Sequence, residues 1–430
     1  MLFQFSPLIQ AGIEAGQYAP VFSSGVPIGL ARDAATGQFV GLAQGLLNSA
    51  GMPLNPLTSP IQLLSSGAQM YQNHRGFQVV QQGLQSIQAS VGVLQATTAV
   101  IGVGVAAGVA LSAVNLYHTL KLRKAVERLE IKVENGFIDL KQALKDQGRE
   151  IIQLIEEVAQ DIKFEQHRLI LVKAYGLFTK AINRLRSALQ IQDISRRNAE
   201  IDAARGMLYE ALADYTNPQL LEEISAPGIL RRDECAWGIE QTIISTYQMQ
   251  GELSVVSDRL KCLQGKIRQD TVKVVKSCET KDEFDFLFPE ISRIRYHDLV
   301  VIESWQTQND WIKSLPSEDL KLLQSADFSQ TDVSHSADQK DIPLIPSEPL
   351  ELSLYKELQE KSHPGSLRDQ LFFMMDSNLR QNAELYISQQ ANLSAHKTLA
   401  SSNLQIASDL TVANLYWYFK LRDDSEDILK

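Results

Sequence analysis

The chain has 430 residues, 44% of them apolar, and its 51 acidic against 41 basic side chains leave a net charge of −10. That length allows about two or three domains with a substantial buried core, which excludes a disordered chain. The acidic balance excludes general affinity for nucleic acid, whose phosphates demand a basic surface. Charge is spread very unevenly: before Lys121 only Glu14, Arg32, Asp33 and Arg75 are charged. Two different environments are implied.

The opening residues carry no basic cluster, and Pro7, Gly12 and Glu14 interrupt any apolar run, so no secretory signal peptide is expected. Cys235, Cys262 and Cys278 make an odd set with no CxxC pair, the usage of a reducing compartment. The localisation expected is cytoplasmic, extended to membrane association or insertion by the apolar segment discussed below.

Residues 1–75 form a low-charge segment rich in Gly, Pro, Ser and Gln. Within it two apolar runs, 26–32 and 38–42, flank Asp33-Ala-Ala-Thr-Gly37 and predict a small β-hairpin, because Asp initiates turns and Gly tolerates a positive φ. A lone hairpin is marginal in water, so a helix, a partner chain or a membrane surface must cover one face. Asn55 to Pro60 reads as a loop before a further helix.

Residues 76–120 contain no Asp, Glu, Lys or Arg. As a helix, residues 89–116 extend about 42 Å against a hydrocarbon core of about 30 Å, enough for one tilted span. Val100, Ile101 and Leu111 supply apolar bulk, while Gly102 and the GxxxG pair Gly104 and Gly108 allow close helix packing. Lys121, Arg123 and Lys124 flank the segment and would stay on the cytoplasmic side. The same composition fits a helix buried in the core of a helical protein. A third reading, a dinucleotide loop from Gly102, Gly104 and Gly108, lacks the second strand and the βα alternation it needs.

From residue 122 apolar residues fall at Leu122, Val126, Leu129, Val133, Phe137, Leu140 and Leu144, and continue to Ile162 in steps of three and four with one position skipped. This is a heptad seam, and residues 121–163 are expected to form a coiled-coil-like helix. Gly136 and Gly148 weaken it by about 1 kcal/mol each. Residues 164–324 read as a helical bundle broken near Asn217-Pro218 and Ala226-Pro-Gly228. Residues 325–349, rich in Ser, Asp and Pro, read as a linker. The last segment, 350–430, contains a stretch without Pro or Gly from Ser366 to Lys420 that predicts one long helix packing on the bundle.

No residue set specifies a reaction. The seven histidines show no paired metal spacing, Walker A loop and GxSxG elbow are absent, and the adjacent Tyr296-His297-Asp298 would not face one another on an α-helix. An enzyme is not expected, nor a metal or a cofactor. The run Lys261 to Lys276 reads as a solvated helix face. The fold expected is mainly α: an elongated bundle of long, coiled-coil-like helices around a central apolar helix, with a small N-terminal hairpin. The function expected is a membrane-active, self-associating helical protein, pore-forming or membrane-perturbing through a transmembrane helix, with itself and the lipid bilayer as partners. The alternative is a cytoplasmic homo-oligomeric scaffold or partner-binding protein with the apolar helix as core.

Overall fold

The structure, a computed structural model, describes residues 2–23, 25–43, 45–47, 160–188, 190–220, 226–319 and 350–428. It is mostly helical, with a small three-stranded antiparallel sheet near the N-terminus. The chain divides into two compact units. One comprises Met1–Glu223, Arg231–Gln264 and Tyr296–Glu348; the other comprises Ile224–Leu230, Gly265–Arg295 and Pro349–Lys430.

The first unit opens with β1 (Leu2–Gln4), α1 (Pro7–Glu14), β2 (Tyr18–Ser23), β3 (Val26–Asp33), β4 (Phe39–Leu42) and β5 (Gly45–Leu47). β3 and β4 form the hairpin expected from the sequence, pairing Leu30 with Leu42 and Arg32 with Phe39. Asp33 sets its turn, accepting N–H bonds from Ala35 at 2.9 Å and Thr36 at 2.7 Å, while Gly37 takes φ +71°. β2 adds to the other edge of β3, and β1 pairs separately with β5.

The cover that this sheet requires comes from helices. Ile9 of α1 packs with Phe5, Ile28, Leu30, Ala31 and Phe39, and Trp311 and Ile312 join them from a helix far along the chain. Trp311 meets Phe39 edge to face at a centroid distance of 5.9 Å. The closeness of this packing explains Gly29: its φ is +76°, and a Cβ there would lie 2.7 Å from the Phe3 ring.

Four helices follow: α2 (Gln160–Ala188) and α3 (Ile194–Thr216) in the first unit, then α4 (Ala226–Met249) and α5 (Leu253–Ser277), whose residues from Arg231 on and up to Gln264, respectively, belong to it. Apolar residues three and four apart drive the α2 and α3 pairing: Leu171, Ala174, Phe178, Ala181 and Leu185 are buried on α2, and Ile201, Ala204, Leu208 and Ala211 on α3. The break at Asn217-Pro218 follows α3 directly. Ala226-Pro-Gly228, read from sequence as a second break, instead forms the first turn of α4, where a proline without an N–H is tolerated. The Arg232 guanidinium donates to the backbone carbonyl of Tyr215 at 2.7 Å and also to those of Asn217 and Leu220, so it closes the C-terminus of α3.

After α6 (Lys281–Arg293) come a π-helical turn (Ile294–Asp298) and α7 (Leu299–Ser314), the helix that carries Trp311. A capping box, Thr280 with Glu283, starts α6. The second unit contains the start of α4, the C-terminal half of α5 and α6, together with α8 (Leu350–Lys361), α9 (Pro364–Met375), α10 (Ser377–Leu393), α11 (Ser401–Ile406) and α12 (Asp409–Ile428).

Two expectations are corrected. The single long helix over residues 366–420 is in fact α9 to α12. Asp376 ends α9 and caps α10 by accepting the Asn378 N–H at 2.9 Å, and Ala395 stops α10 with φ +56°. Neither break uses Pro or Gly: the Asp376 carboxylate takes backbone N–H groups at the first, and a left-handed turn at Ala395 makes the second. The membrane-active, pore-forming reading with a transmembrane helix is likewise set aside. Among the described residues no helix is long and apolar enough to cross a membrane. The longest described helix, α2, places Lys163, Arg168, Lys173, Lys180 and Arg184 along its length, and charged groups at that density cannot be buried in hydrocarbon. Residues 89–116, on which that reading was built, lie outside the described residues, as does the 325–349 linker.

Three outcomes follow from this packing. Gly29→Ala should cost about 1–3 kcal/mol in urea unfolding of the full chain, through strain and the clash with Phe3. Gly16→Ala, also at positive φ but with open space around it, should cost less. Arg232→Ala should lower stability by about 1–3 kcal/mol, because it strands the carbonyls that end α3; Arg232→Lys, without the forked donors, should recover only part of the loss. In maleimide labelling at pH 8, exposed Cys262 should react first. Burial, aided by the Glu283 charge, pushes the Cys278 thiol up to about 11, leaving a thiolate fraction of about one in a thousand at that pH.

Candidate functional site

The sequence-derived site residues do not appear in this fold. Val100, Ile101, Gly102, Gly104, Gly108 and Leu111, the flanking Lys121, Arg123 and Lys124, and the seam from Leu122 to Leu144 all lie outside the described residues. Among the described residues no group of three or more His, Cys, Asp or Glu is placed to hold a metal. Asp298 of the π-helical turn is buried while Tyr296, two residues earlier, is exposed. His363 serves structure: its Nδ1 accepts the Gly365 N–H at 3.0 Å to cap α9, and its ring stacks on Trp417. The run Lys261 to Lys276 lies on α5, where Lys266 pairs with Asp270 at 2.9 Å.

The first unit does contain a concentrated polar and aromatic constellation, built where α3, α4 and α5 meet. Arg205 and Tyr209 stand one turn apart on α3. Glu240 and Tyr247 stand two turns apart on α4, and Arg259 reaches in from α5. Gly251, at φ +78°, ends the α4 region and lets the chain turn into α5.

Arg205 is nearly buried, so its guanidinium needs partners throughout. Nε donates to Thr246 Oγ1 at 2.7 Å, one terminal nitrogen donates to Asp202 at 3.0 Å and the other to Gln250. Gln250 in turn donates to Asp202 at 2.9 Å, closing a ring of bonds. The same guanidinium lies over the Tyr247 ring, 3.7 Å from its centroid. Arg259 donates to Glu240 at 2.6 Å and to the Tyr209 hydroxyl, and sits within 5.5 Å of both tyrosine ring centroids.

The two phenol oxygens are 3.1 Å apart. Burial and then the bond to Tyr247 hold the Tyr209 phenol above its ordinary range. Tyr247 is shifted the other way, lowered first by the bond from Tyr209 and then by the charges of Arg205 and Arg259, against a desolvation cost. Either hydroxyl can donate to the other across this pair, and because the Tyr209 oxygen accepts from Arg259, the Tyr209 proton is free to face Tyr247. Burial works against the charge of Arg259, but Glu240 and Tyr209 outweigh it and raise its pKa.

The result is a charge-balanced surface of two guanidinium groups, two carboxylates and two phenols, held in place before any ligand arrives. Tyr209 is 37% exposed, so the surface opens to solvent. Sequence reasoning missed it. The only local signals were the four-residue spacing of Arg205 and Tyr209 and the seven-residue spacing of Glu240 and Tyr247, neither of which reveals that three helices converge. No family model, curated protein or solved structure matches the chain.

Proposed function

We propose that the chain is a non-enzymatic, homo-oligomeric scaffold that recognises a second copy of itself through the Arg205, Tyr209, Tyr247 and Arg259 surface. The observation that carries this reading is the preorganisation of that surface. Tyrosine and arginine dominate binding hot spots, and side chains already locked by hydrogen bonds lose little entropy on association. Its mixture of cations, carboxylates and phenols suits a two-fold contact, in which one patch must complement itself.

The heptad seam from Leu122 to Leu144 supports a second association element. In this reading the coiled-coil-like helices form an elongated bundle with the apolar segment, 89–116, as core. The three free cysteines support a reducing, cytoplasmic setting. The net negative charge speaks against a nucleic acid partner.

Sedimentation of the full chain tests the proposal. The wild type should be an oligomer, and Tyr209→Ala with Arg259→Ala should weaken association by about 30-fold or more, the scale of a hot-spot pair. Leu129→Asp with Leu140→Asp should reduce the assembly further. A wild type that is monomeric throughout, or a Tyr209 and Arg259 double variant that assembles as well as the wild type, overturns the assignment.

A further inference from the structure

We propose that Tyr247 is a covalent modification site, a nucleophilic phenol poised by Tyr209, Arg205 and Arg259 to attack electrophilic sulfur(VI) and phosphorus(V) centres. A free phenol is a poor nucleophile at neutral pH because almost none of it is ionised. Three features of this site favour the phenolate of Tyr247. The Tyr209 hydroxyl, whose oxygen accepts from Arg259, lies 3.1 Å from the Tyr247 oxygen, within reach to donate to it. The Arg205 guanidinium is stacked 3.7 Å from the ring centroid, where it faces the π-density that grows as the ring gains negative charge. Arg259 polarises the relay from its far end by donating to the Tyr209 oxygen, and adds a second positive charge within 5.5 Å of the Tyr247 ring.

The carboxylates at the site do not cancel this arrangement. Asp202 is bonded to Arg205 and Gln250, and Glu240 to Arg259, so each engages a cation or an amide and not the phenols. The bond with Tyr209 and the charges of Arg205 and Arg259 lower Tyr247, while burial raises Tyr209. Tyr247 is only half-buried, leaving a path for a small electrophile.

With an aryl sulfonyl fluoride the step balances simply. The Tyr247 oxygen forms a bond to sulfur, the S–F bond breaks, fluoride leaves with the bonding pair, and the phenolic proton passes to solvent. A nucleoside triphosphate presented by a transferase would react in the same sense: an O–P bond forms to the terminal phosphorus, the bridging P–O bond breaks, the nucleoside diphosphate leaves with the bonding pair, and the phenolic proton passes to solvent. The attack needs no metal or cofactor held by this chain.

The test is labelling of the dilute, full-length protein with an aryl sulfonyl fluoride, with adducts located by peptide mass spectrometry. Tyr247 should label about tenfold faster at pH 7.4 than Tyr296 and Tyr418, which are more exposed, and its rate should reach half-maximum at a pH below that of those two. Tyr209→Phe keeps the ring and removes the donor, and should slow labelling at Tyr247 several-fold. Arg259→Lys, a second variant that retains the charge, should slow it less. Equal labelling of all three tyrosines, or a Tyr247 rate untouched by Tyr209→Phe, overturns the proposal. Labelling is read at a dilution where sedimentation shows the monomer, so self-association through the same surface does not cover Tyr247 and is reported separately.

Discussion

The carbonyl groups that end a helix have no partner within it, and this chain repeatedly meets that constraint with an arginine from another helix. Arg232 closes the end of α3. Arg368 donates to the carbonyls of Val275, Lys276 and Cys278 at the end of α5. Arg380 donates to Leu404 and Ala407 at the end of α11 and lies 2.9 Å from Asp409, where α12 begins. A forked guanidinium can serve several carbonyls at once, and its charge opposes the negative end of the helix dipole. Each such contact fixes where one helix stops and how the next segment leaves it.

The N-terminal sheet shows a second consequence of limited burial. Three short strands cannot hide enough apolar surface to be stable alone. Ile9 from the neighbouring α1 and Trp311 from the distant α7 complete the core. Gln308, also on α7, donates to the Ile28 carbonyl at 2.9 Å, which adds a polar tie beside the apolar one. In the same unit Trp305 donates to Gln248 at 2.8 Å, so the buried indole is satisfied by α4. The sheet is thus held by residues nearly three hundred positions away, and its stability is part of the helical unit's stability.

The Arg205 constellation uses the same side-chain chemistry for a different end. A nearly buried guanidinium, bonded on every side, gives Tyr247 a fixed cationic neighbour; Arg259 gives Tyr209 another. Asp202 and Glu240 are committed to the guanidinium groups, Asp202 from an exposed position, and the Tyr209 phenol faces solvent beside them. Both the proposed self-contact and the proposed reactivity rest on that division: the charges orient the rings, and the rings meet the partner or reagent.

Much of the local structure was legible in the order of residues. Asp33 and Gly37 marked the hairpin turn, since a side-chain acceptor and a positive φ are local requirements. Residues 164–324 read as helical, and Asn217-Pro218 marked the end of α3. The absence of Pro and Gly misled after Ser366, because the Asp376 carboxylate and a left-handed Ala395 end helices there. The apolar run before Lys121 drew attention to membranes, yet the described helices carry charges at every few turns. What only the tertiary structure decided was the meeting of Arg205, Tyr209, Tyr247 and Arg259, and the covering of the sheet by Trp311. Residues on separate helices come together through burial and hydrogen bonding summed over the whole unit, and no short stretch of sequence records that sum.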